Sequence, residues 1–525
     1  MPLEGRQLAA PVDLRDLLRV GLDAEPDAVA VSSAIHQMTW RELEDASDRL
    51  ARNYVRLGLH AGDRVASLMP NRILLLVHYL ACFRAGLVTT PLNYRYAPRE
   101  IDHALEVSGA RAIVAHAERA DDLAASALAG GLLQIGVEGS LGDGPVLEQL
   151  VADTDLSEGG LGPVELAPTR RSDPAAIFFT SGSTGPAKGV THSLDSLGWM
   201  IASAVDGFEL TDADTFLPGS SMSHIGSFLW ALASFAVGGH VVVARTFDAG
   251  EILPLLRAHR PTVLAMIPAA LTALVRDHDV TADDFSSLRV ARAGADKVSL
   301  ELEHEFQALS GLLVDEGYGM TEVGLATLNP PRGPIKQGSI GRPVGGFAIC
   351  VRDDERCECA NGTVGRVWIR TQSQTIGYWD NPEATAEILR GGWLDSGDLA
   401  HADDDGYLWF FGRKKQIIVH DGSNISPGEV EEAIAEHHAV ALVGVVGIHD
   451  EVHGENVRAY VTVQDGAERP TSQELIEFAR ERIGYKAPEE VVFLAEMPVN
   501  PTGKLDRVAL KAMAEDHLHP HGLPA

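Results

Sequence analysis

The chain has 525 residues, 45% of them hydrophobic, and carries 43 lysines and arginines against 74 aspartates and glutamates, a formal net charge of −31. That length exceeds a single compact core, so two or more domains are expected, and the acidic field opposes tight non-specific association with nucleic acid or anionic lipid. Four cysteines, Cys82, Cys350, Cys357 and Cys359, are too few for a disulfide framework and fit reduced thiols in the cytoplasm. Cys357-Glu-Cys359 with Cys350 lacks the paired spacing of a metal cluster, and His517, His519 and His521 read as solvated tail residues. Residues 1–10 contain Glu4 and Arg6 and no continuous apolar run, so no signal peptide is expected; the apolar stretch Ile73–Phe83, interrupted by His78, is too short to span a bilayer.

From Arg64 onward short β-rich runs alternate with longer helical ones, the pattern of α/β layers. Arg64–Met69, Val88–Leu92 and Arg111–Ala115 read as strands, with helices over Ile73–Ala85 and Arg99–Val107 between them. Gly139–Arg171, rich in Gly, Asp and Pro, reads as a surface connection rather than core. Strands near His240–Ala244, Pro261–Ile267, Leu288–Ala291 and Leu312–Asp315 then predict a second α/β sheet. Between about Asn329 and Arg413 the chain turns to short Gly-punctuated strands, Phe347–Val351, Val364–Arg370 and Tyr407–Phe411, which predict a small β-barrel subdomain. After Arg413 come a helix at Pro427–Glu436, begun by Ser426 as N-cap with Pro427 at its first position, strands near Ala441–Gly447 and Arg458–Val463, a helix near Gln473–Arg482 and a strand at Val491–Leu494. The expected fold class is therefore α/β: a large N-terminal domain of two layered α/β sheets plus the β-barrel subdomain (residues 1–413, the subdomain about 329–413), followed by a small C-terminal α/β domain (416–525).

Three stretches and one lysine carry chemistry. An apolar strand, Ala175-Ala-Ile-Phe-Phe179, breaks into Thr180-Ser181-Gly182-Ser183-Thr184-Gly185-Pro186-Ala187-Lys188-Gly189-Val190. Hydroxyls and glycines after a buried strand let backbone N–H groups converge on an anion, to which lysine adds charge. It is not a Walker loop, because Gly189 follows Lys188 and Ala187 precedes it. In Gly317-Tyr318-Gly319-Met320-Thr321-Glu322 the glycines let a flat ring lie against the backbone, while Thr and Glu supply a hydroxyl for a phosphate oxygen and a carboxylate for Mg²⁺. Trp393-Leu-Asp-Ser-Gly-Asp398 ends on a carboxylate whose two oxygens can each accept one O–H of a vicinal diol. Each also has a bland reading, as a flexible Gly/Ser loop, a plain turn or an Asx turn, and Lys504 in Asn500-Pro-Thr-Gly503-Lys504 by itself reads as a surface lysine.

In this order and spread from Thr180 to Lys504, the stretches resemble the signatures of the adenylate-forming (ANL) superfamily of acyl-CoA synthetases, peptide-synthetase adenylation domains and luciferases. The resemblance covers essentially the whole chain. It implies ATP binding by Thr180, Ser181, Gly182, Ser183, Thr184, Gly185 and Lys188 around the β and γ phosphates, and by Gly294, Ala295, Tyr318 and Gly319 around adenine. Thr321 would touch the α-phosphate, Glu322 hold Mg²⁺, and Asp398 and Arg413 reach the ribose. Lys415 falls where the family places the hinge of a mobile C-terminal domain, and Lys504 would bridge the acid's carboxylate and the α-phosphate. His224 matches the family's gate beside that carboxylate, with Ile225, Gly226, Phe228, Val323, Gly324 and Leu325 as lining of an apolar acid pocket. For coenzyme A the matching positions are Gly422, Gly447, Tyr485 and Lys486. The chain departs from the pattern at Ile418-Val-His-Asp-Gly422, where many relatives carry a lysine in place of Val419, and at Ala293-Gly-Ala-Asp-Lys297, where relatives have Ser-Gly-Ala-Ala-Pro.

The activity so implied is ATP-dependent acid–CoA ligation, with acyl-adenylate and pyrophosphate formed first and a thioester and AMP second. ATP, Mg²⁺ and coenzyme A are the expected cofactors and co-substrates, and a hydrophobic carboxylic acid, fatty or aromatic, the small-molecule partner; no nucleic acid and no membrane segment are expected, and a homodimer is compatible with the pattern. The competing readings are an acyl-AMP ligase that loads a separate carrier protein, a luciferase-like adenylating oxygenase, and a nucleotide-binding scaffold without catalysis.

Overall fold

Two large sheets share a core because the helices between them are apolar on every side. A computed structural model describes all residues except Met1, 153–163, 181–186, Phe247, Asp277, 294–297, Ser299, 421–422, 451–452, 501–503 and 519–525. Helix Ile73–Ala85 is the clearest case: almost every residue is buried, as a helix sandwiched between layers requires. Its interior histidine, His78, is satisfied by the Tyr54 hydroxyl at 2.7 Å, from helix Trp40–Arg56, whose start is fixed by a capping box between Thr39 and Glu42. Phe228 of helix Ile225–Ala236 closes the core, its ring 5.0 Å from both Tyr79 and Phe178.

One sheet orders its strands Gly377–Tyr378, Lys188–Ser193, Pro174–Thr180, Val88–Pro91, Arg64–Leu68, Ala112–His116 and Leu133–Val137. The last five run parallel and the first two join them antiparallel. The second sheet runs from Arg342–Pro343 through Gly324–Leu328, Val314–Met320, Val290–Ala293, Val263–Met266, Thr215–Gly219 and His240–Val243 to Val29–Ser33 and Gln37–Thr39. The sequence reading began its strands at Arg64 and so missed Val29–Ser33, which crosses over to pair with His240–Val243 far along the chain.

Two expectations are corrected. The β subdomain is not a barrel: among the described residues it is an open, antiparallel sheet of Leu3–Glu4, Phe347–Arg352, Gly365–Thr371, Trp393–Ala402 and Leu389–Arg390, with Leu408–Arg413 also on Trp393–Ala402. It does not close because its outlying strands are used elsewhere: Arg342–Pro343 joins the second sheet and Gly377–Tyr378 the first. Gly139–Arg171 is not wholly surface either, since helix Leu147–Ala152 buries Leu147, Leu150 and Val151 at helical spacing.

From Ile418 the chain builds its own sheet, Ser423–Ile425, Ile418–His420, Gly454–Val463 and Val440–Asp450, with Glu490–Phe493 parallel to Gly454–Val463. Helices Pro427–Ala435, Ser472–Ile483 and Arg507–Leu518 pack with it. Ser426 stands at the N-cap of the first, but its side chain makes no capping hydrogen bond there; Pro427, which lacks an N–H, still suits the first position.

Candidate active site

The predicted phosphate loop joins two antiparallel strands rather than a strand and a helix. Thr180 and Lys188 face each other in the register of Pro174–Thr180 and Lys188–Ser193; Ser181, Gly182, Ser183, Thr184 and Gly185 lie outside the described residues, as do Gly294, Ala295 and Gly422. Lys188 Nζ lies 5.0 Å from the centre of the Tyr378 ring, and the Tyr378 hydroxyl donates to Glu322 Oε1 at 2.8 Å. Glu322 is only 6% exposed, and burial raises its pKa against the opposing effects of Tyr378 and the Arg413 charge. Thr321 beside it is held through its carbonyl by His192 Nε2 at 2.8 Å. Lys188 and Glu322 are thus brought together through Tyr378, which the sequence reading passed over.

Strand Val314–Met320 carries Tyr318 to the same edge. Gly319 permits the turn back into Gly324–Leu328, because a Cβ there would lie 2.3 Å from the Gly324 carbonyl oxygen. The Tyr318 hydroxyl donates to Asp398 Oδ2 at 2.6 Å, and Arg413 Nε stands 3.4 Å from Asp398 Oδ1. Asp398 and Arg413 are direct partners across the pairing of Trp393–Ala402 with Leu408–Arg413. Asp398 is 4% exposed; burial raises its pKa and Arg413 pulls it back. Each of its oxygens has lone-pair capacity left for a further donor. Phe410, 43% exposed, lies 6.2 Å from the Tyr318 ring and is an open aromatic face that the motif search missed. Its nearness to Tyr318 comes from strand pairing and leaves no signal in the sequence.

At the other end stands His224, immediately before helix Ile225–Ala236. Its Nε2 is 3.3 Å from Asn93 Nδ2, and its pKa is pushed down to about 4 by burial and then by the charge of Lys504. Lys504, nearly 300 residues away in sequence, therefore lies close enough in space for its charge to be felt at His224. Ile225 and Gly226 are part-exposed beside His224, and a Cβ on Gly226 would meet nothing within 4 Å. Phe228 and Val323 present no accessible surface, and Gly324, at φ +78°, packs against Met200 on helix Leu194–Phe208. Leu325 is likewise buried. These four expected pocket residues are buried in the core.

Lys415 is exposed in the turn Lys414–Gln416, between the last strand of the open sheet and the first of the C-terminal one, and Lys414 is ion-paired with Asp354. Of the coenzyme A candidates, Gly447 is buried against Glu455, Tyr485 is 65% exposed, and Lys486 pairs with Glu429 at 2.5 Å. At the departure from the family pattern, His420 stacks on His453 at 5.2 Å and lies 3.5 Å from Glu489.

Magnesium is the metal that these residues fit. Among the described residues no three His, Cys, Asp or Glu side chains gather as ligands, so no all-protein cage is built. One buried carboxylate, Glu322, which shares Tyr378 with Lys188, could contribute to a cation held jointly by protein and a polyphosphate.

The fold and this arrangement define an adenylate-forming enzyme. The chain belongs to the AMP-binding enzyme family: residues 19–379 match that family and residues 429–504 the AMP-binding enzyme C-terminal domain. It is 33% identical over 484 residues to a feruloyl-CoA synthase of an Amycolatopsis species, covering 91% of this chain and 94% of the relative. It is 31% identical over 494 residues to a 2-succinylbenzoate–CoA ligase of Geobacillus kaustophilus, covering 93% and 95%. The ATP-bound crystal structure of MatB from Rhodopseudomonas palustris, 28% identical, superimposes with a TM-score of 0.87 over 97% of this chain and 100% of that one. The apo form of the same protein superimposes with 0.75 over the same shares. No helix among the described residues is long and apolar enough to cross a membrane.

Proposed function

We propose that the protein is an ATP-dependent acid–CoA ligase for hydrophobic carboxylic acids. An acid oxygen attacks the α-phosphorus of ATP, the bond to the β-phosphate oxygen breaks, and acyl-adenylate and pyrophosphate form. A thiolate then attacks the acyl carbonyl, and AMP leaves as the thioester forms. A free carboxylate is a poor electrophile, and the first step turns its oxygen into a leaving group. The protein contributes positioning and charge rather than a covalent intermediate. Magnesium, held by Glu322 with the triphosphate, would supply charge neutralisation there.

The observation that carries this reading is the gathering of Glu322 and Lys188 on Tyr378 beside Asp398 with Tyr318 and Arg413, the parts of a nucleotide grip drawn from separate motifs, with the charge of Lys504 from the C-terminal part of the chain felt at His224. In this reading Lys504 offsets the negative charge that gathers as carboxylate meets phosphate, and neutral His224 lines the carboxylate without competing for it. Asp398 and Arg413 take the ribose, Tyr318 and Phe410 the adenine, and Thr321, Thr180 and Lys188 the phosphates. The better match to an ATP-bound than to an apo neighbour supports an arrangement suited to adenylation. The domain boundary lies near Lys415, and rotation there withdraws Lys504 and opens the second step. Ile225 offers apolar surface and Gly226 open space beside His224, which favours fatty or aromatic acids. The site is assembled within one chain, so a homodimer is not required. We read the enzyme as cytoplasmic, in keeping with its ATP substrate and free cysteines.

The test is a panel of aliphatic, aromatic and amino acids scored for pyrophosphate release, and for AMP release with and without coenzyme A. CoA-dependent AMP release with a hydrophobic acid is expected. Adenylation with every acid insensitive to coenzyme A would instead favour transfer to a separate carrier protein.

A further inference from the structure

Tyr378 touches both halves of the triphosphate grip, and no role in the reaction has yet been given to it. It lies on the two-residue strand Gly377–Tyr378 at the edge of the first sheet, where Gly377 pairs with Thr191 and Tyr378 with Val190, directly after the phosphate loop. The pairing continues on both sides, with Trp379 N donating to the Gly189 carbonyl at 2.7 Å and Ile376 N to the Thr191 carbonyl at 3.0 Å. The same segment grips the other motif: Thr375 N donates to the Glu322 carbonyl at 2.7 Å, and Thr375 Oγ1 to the Thr191 carbonyl at 2.6 Å. The Tyr378 hydroxyl then donates to Glu322 Oε1 at 2.8 Å, and its ring face receives Lys188 Nζ at 5.0 Å. Tyr378 thus has a buried carboxylate on its tip and the loop's ammonium on its face.

We propose that Tyr378 is a positioning residue for the nucleotide: its hydroxyl fixes the Glu322 carboxylate, its ring seats Lys188, and one side chain thereby holds the carboxylate and the lysine in a set arrangement for a metal-bound triphosphate. The inference rests on the adenylating reading of Glu322 and Lys188. A hydrogen bond from a neutral donor fixes a carboxylate without cancelling the charge that a cation needs, and the negative ring face holds an ammonium without hydrogen-bonding it away from phosphate.

The test uses Tyr378→Phe and Tyr378→Leu in the full-length chain, with equilibrium ATP binding measured in Mg²⁺ and in EDTA. Phe keeps the ring and loses the hydroxyl. It should bind ATP as wild type does in EDTA but lose about tenfold in the affinity gained from Mg²⁺, the scale of one hydrogen bond to a charged group. Leu should lose a further three- to fivefold or so in EDTA as well, the scale of an exposed cation–π contact. In a Glu322→Gln background the Phe variant should add nothing to the Mg²⁺ term, because the two act through one contact. Mg²⁺ dependence unchanged in Tyr378→Phe, or an equal loss with and without Mg²⁺, would overturn the proposal. Should the Leu variant fail to fold, the Phe variant and its double mutant decide it alone. The binding readout is independent of acid turnover, so a wild type that binds Mg²⁺-ATP but releases no pyrophosphate with any acid would sink the ligase reading and leave the result for Tyr378 standing.

Discussion

Burial depresses the His224 imidazole, and the charge of Lys504 depresses it further, because a ring withdrawn from water cannot easily take a positive charge beside an ammonium. In the proposed reading Lys504 is the cation that stands where carboxylate and phosphate approach each other. Lys504→Ala should lower adenylate formation roughly 10²–10³-fold, the range for loss of one preorganised charge-stabilising group, while leaving thioester formation from supplied acyl-adenylate near wild type; pyrophosphate release and single-turnover thioester assays separate the two, and equal loss in both would refute the division of labour. Gly226 offers a second test. A side chain there finds open space and replaces glycine within a helix, so Gly226→Leu should fold with an unchanged or higher melting temperature. It should also shift preference toward smaller acids by about tenfold or more in kcat/KM. Of this end of the site, His224 and Gly226 were legible as motif neighbours. The burial of Phe228 and Val323 was not, since an apolar residue next to a pocket motif has the same one-dimensional signature as one packed behind it.

Among the elements, the most local were the most readable. The helix expected over Ile73–Ala85 has those bounds because its apolar run, broken only by His78 and Arg84, ends at Gly86, in left-handed conformation at its C-cap. The turn through Gly319 is equally local but does more, bringing Tyr318 to Asp398. Gly319→Ala would drive a Cβ into the Gly324 carbonyl, and overpacking of this kind costs about 1–3 kcal/mol. Denaturant titration should show that loss, with weakened ATP binding alongside it; unchanged stability would mean that the two strands part freely. The short edge strand Gly377–Tyr378 escaped the sequence reading because two residues have no periodicity. Its identity as a strand comes entirely from the partner at Val190 and Thr191.

Across the whole molecule, burial of neutral histidines makes stability depend on acid. His78 and His192 are fully buried, with pKa values pushed down to about 3 and about 4 by desolvation. In the unfolded chain both would titrate near 6.5. The unfolded state therefore binds more protons below that pH; the stability they contribute is fully present above about pH 6.5 and is lost as pH falls toward 4. Each should steepen the decline by about 1.4 kcal/mol per pH unit in that window. Chemical denaturation from pH 7.5 to 4.5 should show the drop, and His78→Phe, which removes one proton site but also the Tyr54 partner, should flatten its slope while lowering stability at neutral pH. A slope unaltered by that substitution would assign the acid sensitivity to other groups.

The family and its class of reaction could be read along the chain, because the motifs at Thr180–Lys188, Tyr318–Glu322 and Trp393–Asp398 are short stretches of particular residue types. How those stretches meet depends on the fold. Val29–Ser33 joins strands two hundred residues away, the β subdomain gives up strands to both large sheets instead of closing on itself, and Tyr378 and Lys504 arrive at the site from distant segments. Those outcomes depend on hydrogen-bonded edges and buried faces that find their partners through space, for which no local pattern of residues is required.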